Sequence, residues 1–201
     1  MMQKGFLLLE KIRSHGIVPS AKKAVRYAFE LLFSKIYAKC FGIRIGKGTV
    51  IKLGARIRRD SGDITIGSYC IIHEGARLLA YGGQITIGDN VSVNPLCVLY
   101  GHGGLEIGSG VLIATGTVIV PANHQIVAGV PIRTQKLICR GIRIGDDVWI
   151  GAGVRVLDGS TVESGVVVGA GSVITGGIVP RNSIVAGIPA RKIGERLPAN
   201  I

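Results

Sequence analysis

The sequence predicts an all-β solenoid, a prism of very short parallel strands with an N-terminal α-helical cap and one extruded loop. Three observations predict it. From Ile144 to Val179 aliphatic residues recur every six positions, at Ile144, Ile150, Val156, Val162, Val168 and Ile174. An aliphatic pair followed by glycine recurs over a longer stretch, at Ile43/Ile45-Gly46, Ile64/Ile66-Gly67, Ile85/Ile87-Gly88, Leu105/Ile107-Gly108 and Ile142/Ile144-Gly145. Composition agrees: 31 glycines, 5% aromatic and 47% hydrophobic residues suit many turns joined by short β-branched strands, and exclude a disordered chain.

Residues 1–42 lack the repeat and read as a basic helical cap. Ala24, Val25, Ala28, Phe29, Leu32, Phe33 and Ile36 form a helical stripe, with Ser20 as N-cap and Gly42 as the stop. The plainer role is to cover the open first coil, which solenoids need. The sharper one is an amphipathic anchor to an anionic membrane through Lys22, Lys23, Arg26, Lys35 and Lys39. This segment holds eight Lys/Arg against two Glu, half of the net charge of +12. Such a balance suits nucleic acid, an anionic membrane or anionic small molecules. With no nucleic-acid motif and few aromatics for base stacking, nucleic acid is not an expected partner.

Residues 43–193 carry the repeat, and residues 194–201 form a tail. A six-residue period fits neither an α-helix nor an ordinary strand. It fits one side of a prism, and three sides make an eighteen-residue coil whose strands pair in parallel about 4.8 Å from the next. Turn pairs such as Ala152-Gly153, Asp158-Gly159 and Ala170-Gly171 fall at the corners. Cys70 and Cys97 occupy a place where small side chains point inward, so they read as core thiols rather than nucleophiles. The aliphatic pairs are spaced 21, 21, 20 and 37 residues apart. The last interval is one coil plus nineteen residues, so a loop is extruded between about Ile119 and Arg140.

The four cysteines, Cys40, Cys70, Cys97 and Cys139, form no CxxC pair. The apolar run Phe6–Leu9 is too short for a signal peptide, and no stretch of about twenty apolar residues could span a bilayer. Reduced thiols in a cytoplasmic protein are expected.

Four segments carry a family resemblance: residues 93–104 (VNPLCVLYGHGG), 121–124 (PANH), 144–153 (IGDDVWIGAG) and 183–193 (SIVAGIPARKI). With the interrupted repeat, they resemble the hexapeptide-repeat acetyltransferases. The branch is that of sugar O-acetyltransferases of lipopolysaccharide, capsule and exopolysaccharide synthesis, related to maltose and galactoside acetyltransferases. The resemblance covers about Ile43 to Ile193. It implies a left-handed parallel β-helix, whereas the general preference for right-handed crossovers would give the opposite hand. It further implies a homotrimer with active sites between subunits, acetyl-CoA as acyl donor, a sugar or glycan acceptor and no metal. If the cap is an anchor, the enzyme is peripheral at the inner face of the membrane.

Acetyl transfer from a thioester to a hydroxyl needs a base, because an alcohol is a poor nucleophile at neutral pH, and a donor for the oxyanion. Imidazole, with an ordinary pKa of about 6.5, suits the first task. His15 lies in the cap and His73 in an uninterrupted repeat. His124 opens the loop behind Pro121-Ala122-Asn123 and matches the family's catalytic position. His102, in a corner with Gly101, Gly103 and Gly104 one coil earlier, reads as substrate-binding.

The resemblance assigns Asn94 to the acceptor, and Asn123, Tyr100 and Arg133 are candidate acceptor contacts beside it. Tyr100 stands where the maltose and galactoside enzymes carry an acidic residue, and their N-terminal acidic contact has no counterpart; both departures argue against free maltose or galactoside. Trp149 would line the acyl-donor tunnel and touch the acceptor. Gly151, Ala152, Gly169 and Ala170 would hold the pantetheine arm, Thr175 the adenosine end, and Arg191 and Lys192 the CoA phosphates. Each has a plainer role: Asn94 as a corner residue, Trp149 at a subunit seam, Arg191 and Lys192 as a solvated tail.

Serine, antibiotic and amino-sugar acetyltransferases of the same fold remain alternatives. A metal enzyme of the γ-carbonic anhydrase type needs three gathered histidines, and His73, His102 and His124 lack its close pair. A non-catalytic scaffold has no reason to interrupt its period.

Overall fold

The computed structural model describes residues 21–198. His15 and the expected N-cap Ser20 lie outside them. The described residues open on helix α1, Ala21–Phe41. It ends because Gly42 adopts φ +64°, a left-handed conformation open to glycine, and the Ile43 N–H turns back to the Ala38 carbonyl at 2.8 Å.

Helix α1 covers the first coil, but not with the expected stripe. Ser34 and Ala38 are buried and Tyr37 half-buried, whereas Val25, Phe29, Leu32 and Ile36 are exposed; of the stripe only Phe33 is half-buried. The reason is polar. A first coil has no preceding strand, so its edge N–H groups need acceptors. Ser34 Oγ accepts the Ile51 N–H at 2.7 Å, and the Tyr37 hydroxyl accepts the Ile57 N–H at 3.1 Å. Lys52 adds an ion pair to Glu30 at 2.7 Å. The helix face that can satisfy the edge wins over the more apolar one.

Beyond α1 the strands form three parallel sheets, the faces of a prism. The first face runs Arg44–Ile45, Asp63–Ile66, Gln84–Ile87, Leu105–Ile107, Ile142–Ile144, Ser160–Val162 and Gly177–Val179. The second runs Val50–Ile51, Ile71–Ile72, Ser92–Val93, Leu112–Ile113, Trp149–Ile150, Val167–Val168 and Ser183–Gly187. The third runs Arg56–Arg58, Arg77–Leu79, Val98–Tyr100, Val118–Val120, Arg155–Leu157 and Val173–Ile174. Arg44 pairs with Thr65, Thr65 with Thr86, Thr86 with Glu106 and Glu106 with Arg143, which reproduces the intervals read from the sequence.

Like stacks on like inside. Ile51, Ile72, Val93, Ile113, Ile150, Val168 and Val185 form one buried column, and Ile57, Leu78, Leu99, Ile119, Val156 and Ile174 another. Cys70 and Cys97 are buried as expected, their Sγ atoms donating to the Gly88 and Ala114 carbonyls at 3.1 Å. Burial pushes both thiols above their ordinary 9.0.

Outside, the faces differ. The first presents Arg44, Thr65, Glu106 and Arg143, with Arg143 paired to Glu106 at 2.9 Å. The second presents Ile71, Ser92, Leu112 and Trp149 in register, with Leu112 and Trp149 adjacent and exposed. At the far end an antiparallel strand, Ala190–Glu195, pairs with Ser183–Gly187 and covers the second face's last edge. Among the described residues no helix is long and apolar enough to cross a membrane.

Candidate active site

The three edges of the prism have distinct chemistry. Between the first and second faces, Asp89 Oδ1 accepts the Ser68 N–H and Asp146 Oδ1 the Ser109 N–H, each at 2.7 Å, while Ser109 and Ser164 hydroxyls accept from Asp89 and Asp146. That edge is closed on itself.

The edge between the second and third faces is built of small residues. Asn94, Ala114, Gly151 and Gly169 follow the paired column Val93, Ile113, Ile150 and Val168. A Cβ on Gly151 would come within 2.7 Å of the Ala170 nitrogen, so the coil stacking itself demands glycine. Ala152 sits beside Ala170, its carbonyl accepting the Gly171 N–H at 2.8 Å. Trp149 is 53% exposed two residues before Gly151. Asn94 Nδ2 donates to the Ile113 carbonyl at 2.8 Å, so this side chain braces the corner. At the end of the same edge the last strand brings Arg191 opposite Ala186 and Lys192 opposite Val185. Arg191 is exposed. Lys192 pairs with Glu195 and holds that carboxyl below its ordinary 4.5.

The third-to-first edge is aromatic and carries the arm. Tyr81 stacks on His102 with centroids 4.7 Å apart and meets Tyr100 edge-on at 5.0 Å. Tyr81 holds this position at φ +48°, which a bulky residue seldom adopts. Burial, then Tyr81, pushes the Tyr100 hydroxyl above 10.0. His102 Nδ1 is buried without a hydrogen-bond partner. His102 borders an open hollow of about 510 Å³ lined also by Arg59, Asp63, Gln84 and corner glycines.

One coil on, the chain leaves the prism after Val118–Val120 and returns at Ile142–Ile144. Asn123–His124 pairs antiparallel with Leu137–Ile138, His124 lying opposite Leu137. Gln135 ties the tip: its Oε1 accepts the Val127 N–H and its Nε2 donates to the Val130 carbonyl, both at 2.8 Å. Arg133 lies in the short 3-10 turn Ile132–Thr134. At the root, buried Asp158 accepts the N–H groups of Arg140 at 2.8 Å and Gly141 at 3.1 Å. Gly103 seats the root from below, since a Cβ there would come within 2.5 Å of the Pro121 carbonyl oxygen. His124 and the arm's apolar side chains, Ile126 and Leu137 among them, are exposed.

The structure therefore gathers the candidates into two groups. Tyr100, His102, Asn123, His124 and Arg133 share the edge of the arm, and Thr175, after Val173–Ile174, lies on it too. Asn94, Trp149, Gly151, Ala152, Gly169, Ala170, Arg191 and Lys192 share the small-residue edge and its margin. His73 lies on this second edge, its Nδ1 3.8 Å from Glu74 Oε2 and apart from His102. Among the described residues no group of three or more His, Cys, Asp or Glu could hold a metal ion. Three functional residues escaped the sequence reading. Asp158 read as a turn residue, although it lies eighteen residues, one coil, after Arg140. Tyr81 lies one coil before His102, and Gln135 carried no signal.

The family model described as "Bacterial transferase hexapeptide (six repeats)" matches residues 141–176. Among solved structures, a single-site variant of AntD, an N-acyltransferase from Bacillus cereus with dTDP and coenzyme A, is similar at 25% identity and TM-score 0.71, over 81% of this chain and 89% of that one. Another AntD variant, with dTDP-4-amino-4,6-dideoxyglucose and coenzyme A, is similar at 26% and 0.70, over 82% and 90%. The acetyltransferase domain of PglB from Neisseria gonorrhoeae, with acetyl coenzyme A, is similar at 26% and 0.54, over 72% and 57%. No curated protein sequence matches the chain. On its coil and these likenesses, the chain has the left-handed β-helix fold, carries the repeat of bacterial hexapeptide transferases over residues 141–176, and is similar to acyltransferases that bind coenzyme A.

Proposed function

We propose that the chain transfers an acetyl group from acetyl-CoA directly to a hydroxyl of a sugar or surface-glycan intermediate, with His124 as general base. The sites lie between subunits of a homotrimer. The observation that carries this reading is the separation of the two groups of candidates onto different edges of one prism. An exposed arm bearing His124 and a small-residue groove bearing Ala152 and Ala170 meet only if a second prism stands alongside. The exposed apolar pair Leu112 and Trp149 on the second face supplies a surface for that neighbour.

In this reading His124 takes the hydroxyl proton as the oxygen attacks the thioester carbonyl. The C–S bond then breaks, and the imidazolium returns the proton to the CoA sulfur. Coil hydrogen bonds already commit the N–H groups of Gly151 and Gly169 to Val168 and Val185, so pantetheine contacts fall to the neighbouring Ala152 and Ala170. Arg191 faces the phosphates. Tyr81 and His102 offer ring surfaces to the acceptor.

A second reading is favoured by the likeness to AntD, which spans most of both chains: the acceptor atom is the amine of a nucleotide-linked amino sugar. The two are separated by acetyl-CoA consumption against nucleotide sugars with and without an amino group, free glycans and serine. An ester product is cleaved by hydroxylamine and an amide is not. In either reading His124→Ala lowers kcat by roughly 10²- to 10⁴-fold, and wild-type turnover in that variant removes His124 from the mechanism.

A further inference from the structure

The outward face of α1 carries none of the candidate site residues. At 3.6 residues per turn, Val25, Phe29, Leu32 and Ile36 fall within about 60° of one another, opposite Ser34. They are 69%, 66%, 58% and 55% exposed. The ridge they make runs roughly 16 Å along the helix. A contiguous apolar surface of this kind marks an interaction site.

The charges around the ridge identify its occupant. Arg26 stands on one side and Lys35 and Lys39 on the other, all exposed, with Lys23 further round. The helix's one acid, Glu30, is on the prism side, 2.7 Å from Lys52 and 3.7 Å from Arg26. The outward face is therefore apolar and rimmed by cations. A second copy would set those cations against their own kind. A helix with an apolar ridge between basic flanks fits the boundary between headgroups and acyl chains of an anionic bilayer. The twenty preceding residues add Lys4, Lys11 and Arg13 against Glu10 around the apolar run Phe6–Leu9.

We propose that α1 docks the prism on an anionic phospholipid membrane, with Phe29 and Leu32 in the acyl boundary and Lys35 and Lys39 at the phosphates. The same helix thus caps the first coil with one face and meets lipid with the other.

The test is flotation of the full chain with phosphatidylcholine vesicles, with and without phosphatidylglycerol, at low and high salt. The wild type floats with the anionic vesicles at low salt and is released by high salt. Phe29→Ser/Leu32→Ser and Lys35→Glu/Lys39→Glu each lower the bound fraction about tenfold or more, since one basic residue at such a surface contributes about fivefold. Both keep the wild-type circular dichroism, because these side chains are exposed on the helix. Failure of the wild type to float overturns the proposal. So does undiminished flotation of the Phe29/Leu32 variant, which would leave the ridge to residues 1–20 or to another protein.

Discussion

Asp158 Oδ1 lies 2.8 Å from the backbone nitrogen of Arg140, one coil earlier, and also accepts the Gly141 N–H at 3.1 Å. One carboxylate on the regular coil thereby fixes where the arm re-enters the prism, and with it the position of His124. Asp158→Ala leaves two part-buried N–H donors without an acceptor, at a cost of about 1–2 kcal/mol in urea unfolding. A loosened arm misplaces its base, so kcat falls at least about tenfold while KM for acetyl-CoA changes little. Asp158→Asn, which keeps an acceptor oxygen, restores most of both.

Tyr81 and His102 test the acceptor side. Tyr81→Ala removes a stacked ring and raises KM for the acceptor several-fold, leaving KM for acetyl-CoA near its wild-type value. Tyr81→Phe keeps the ring and stays close to wild type. Equal loss in both variants would point to the hydroxyl instead.

Leu112 and Trp149 test the assembly. Leu112→Asp places a charge beside Trp149 on the second face, so light scattering reads a monomer, circular dichroism is retained and turnover is lost. Sharing of sites predicts more. Subunits carrying His124→Ala, mixed and reassembled with subunits carrying the groove-blocking Ala152→Trp, recover part of the activity that neither has alone.

Cys70 and Cys97 set a pH dependence. Burial holds both thiols above 9.0, so the unfolded chain loses these protons first as pH rises. Their contribution to stability is intact below the ordinary thiol value and declines as pH climbs from there through the raised folded values. The thermal midpoint falls in that alkaline range, less steeply in a Cys70→Ala/Cys97→Ala variant. At neutral pH exposed Cys40 and Cys139 alkylate with iodoacetamide well before Cys70 and Cys97.

Much of this was legible in the chain. The intervals between Ile43/Ile45, Ile64/Ile66, Ile85/Ile87, Leu105/Ile107 and Ile142/Ile144 are the strand register of the first face, and their one break is the arm. Helix α1 was legible at its end, from its Gly42 stop, and wrong in orientation. Periodicity locates an apolar stripe but cannot reveal that the surface awaiting it is a row of unsatisfied N–H groups, for which Ser34 and Tyr37 are better partners than Phe29. Gln135 and Asp158 were hidden for a related reason: each acts on backbone groups that only the folded arm brings within reach.

By itself the sequence determined the prism, because a six-residue repeat is a local code in which every coil specifies its own inward aliphatic residue and its own corner. The coil count already put His102 near His124 and Ala152 under Ala170; tertiary structure alone decided that these two pairs lie on different edges, with Arg191 beside the second. An edge is set by how many sides the chain has turned by that point, a sum over whole coils and their extra corner residues. No short motif carries that sum.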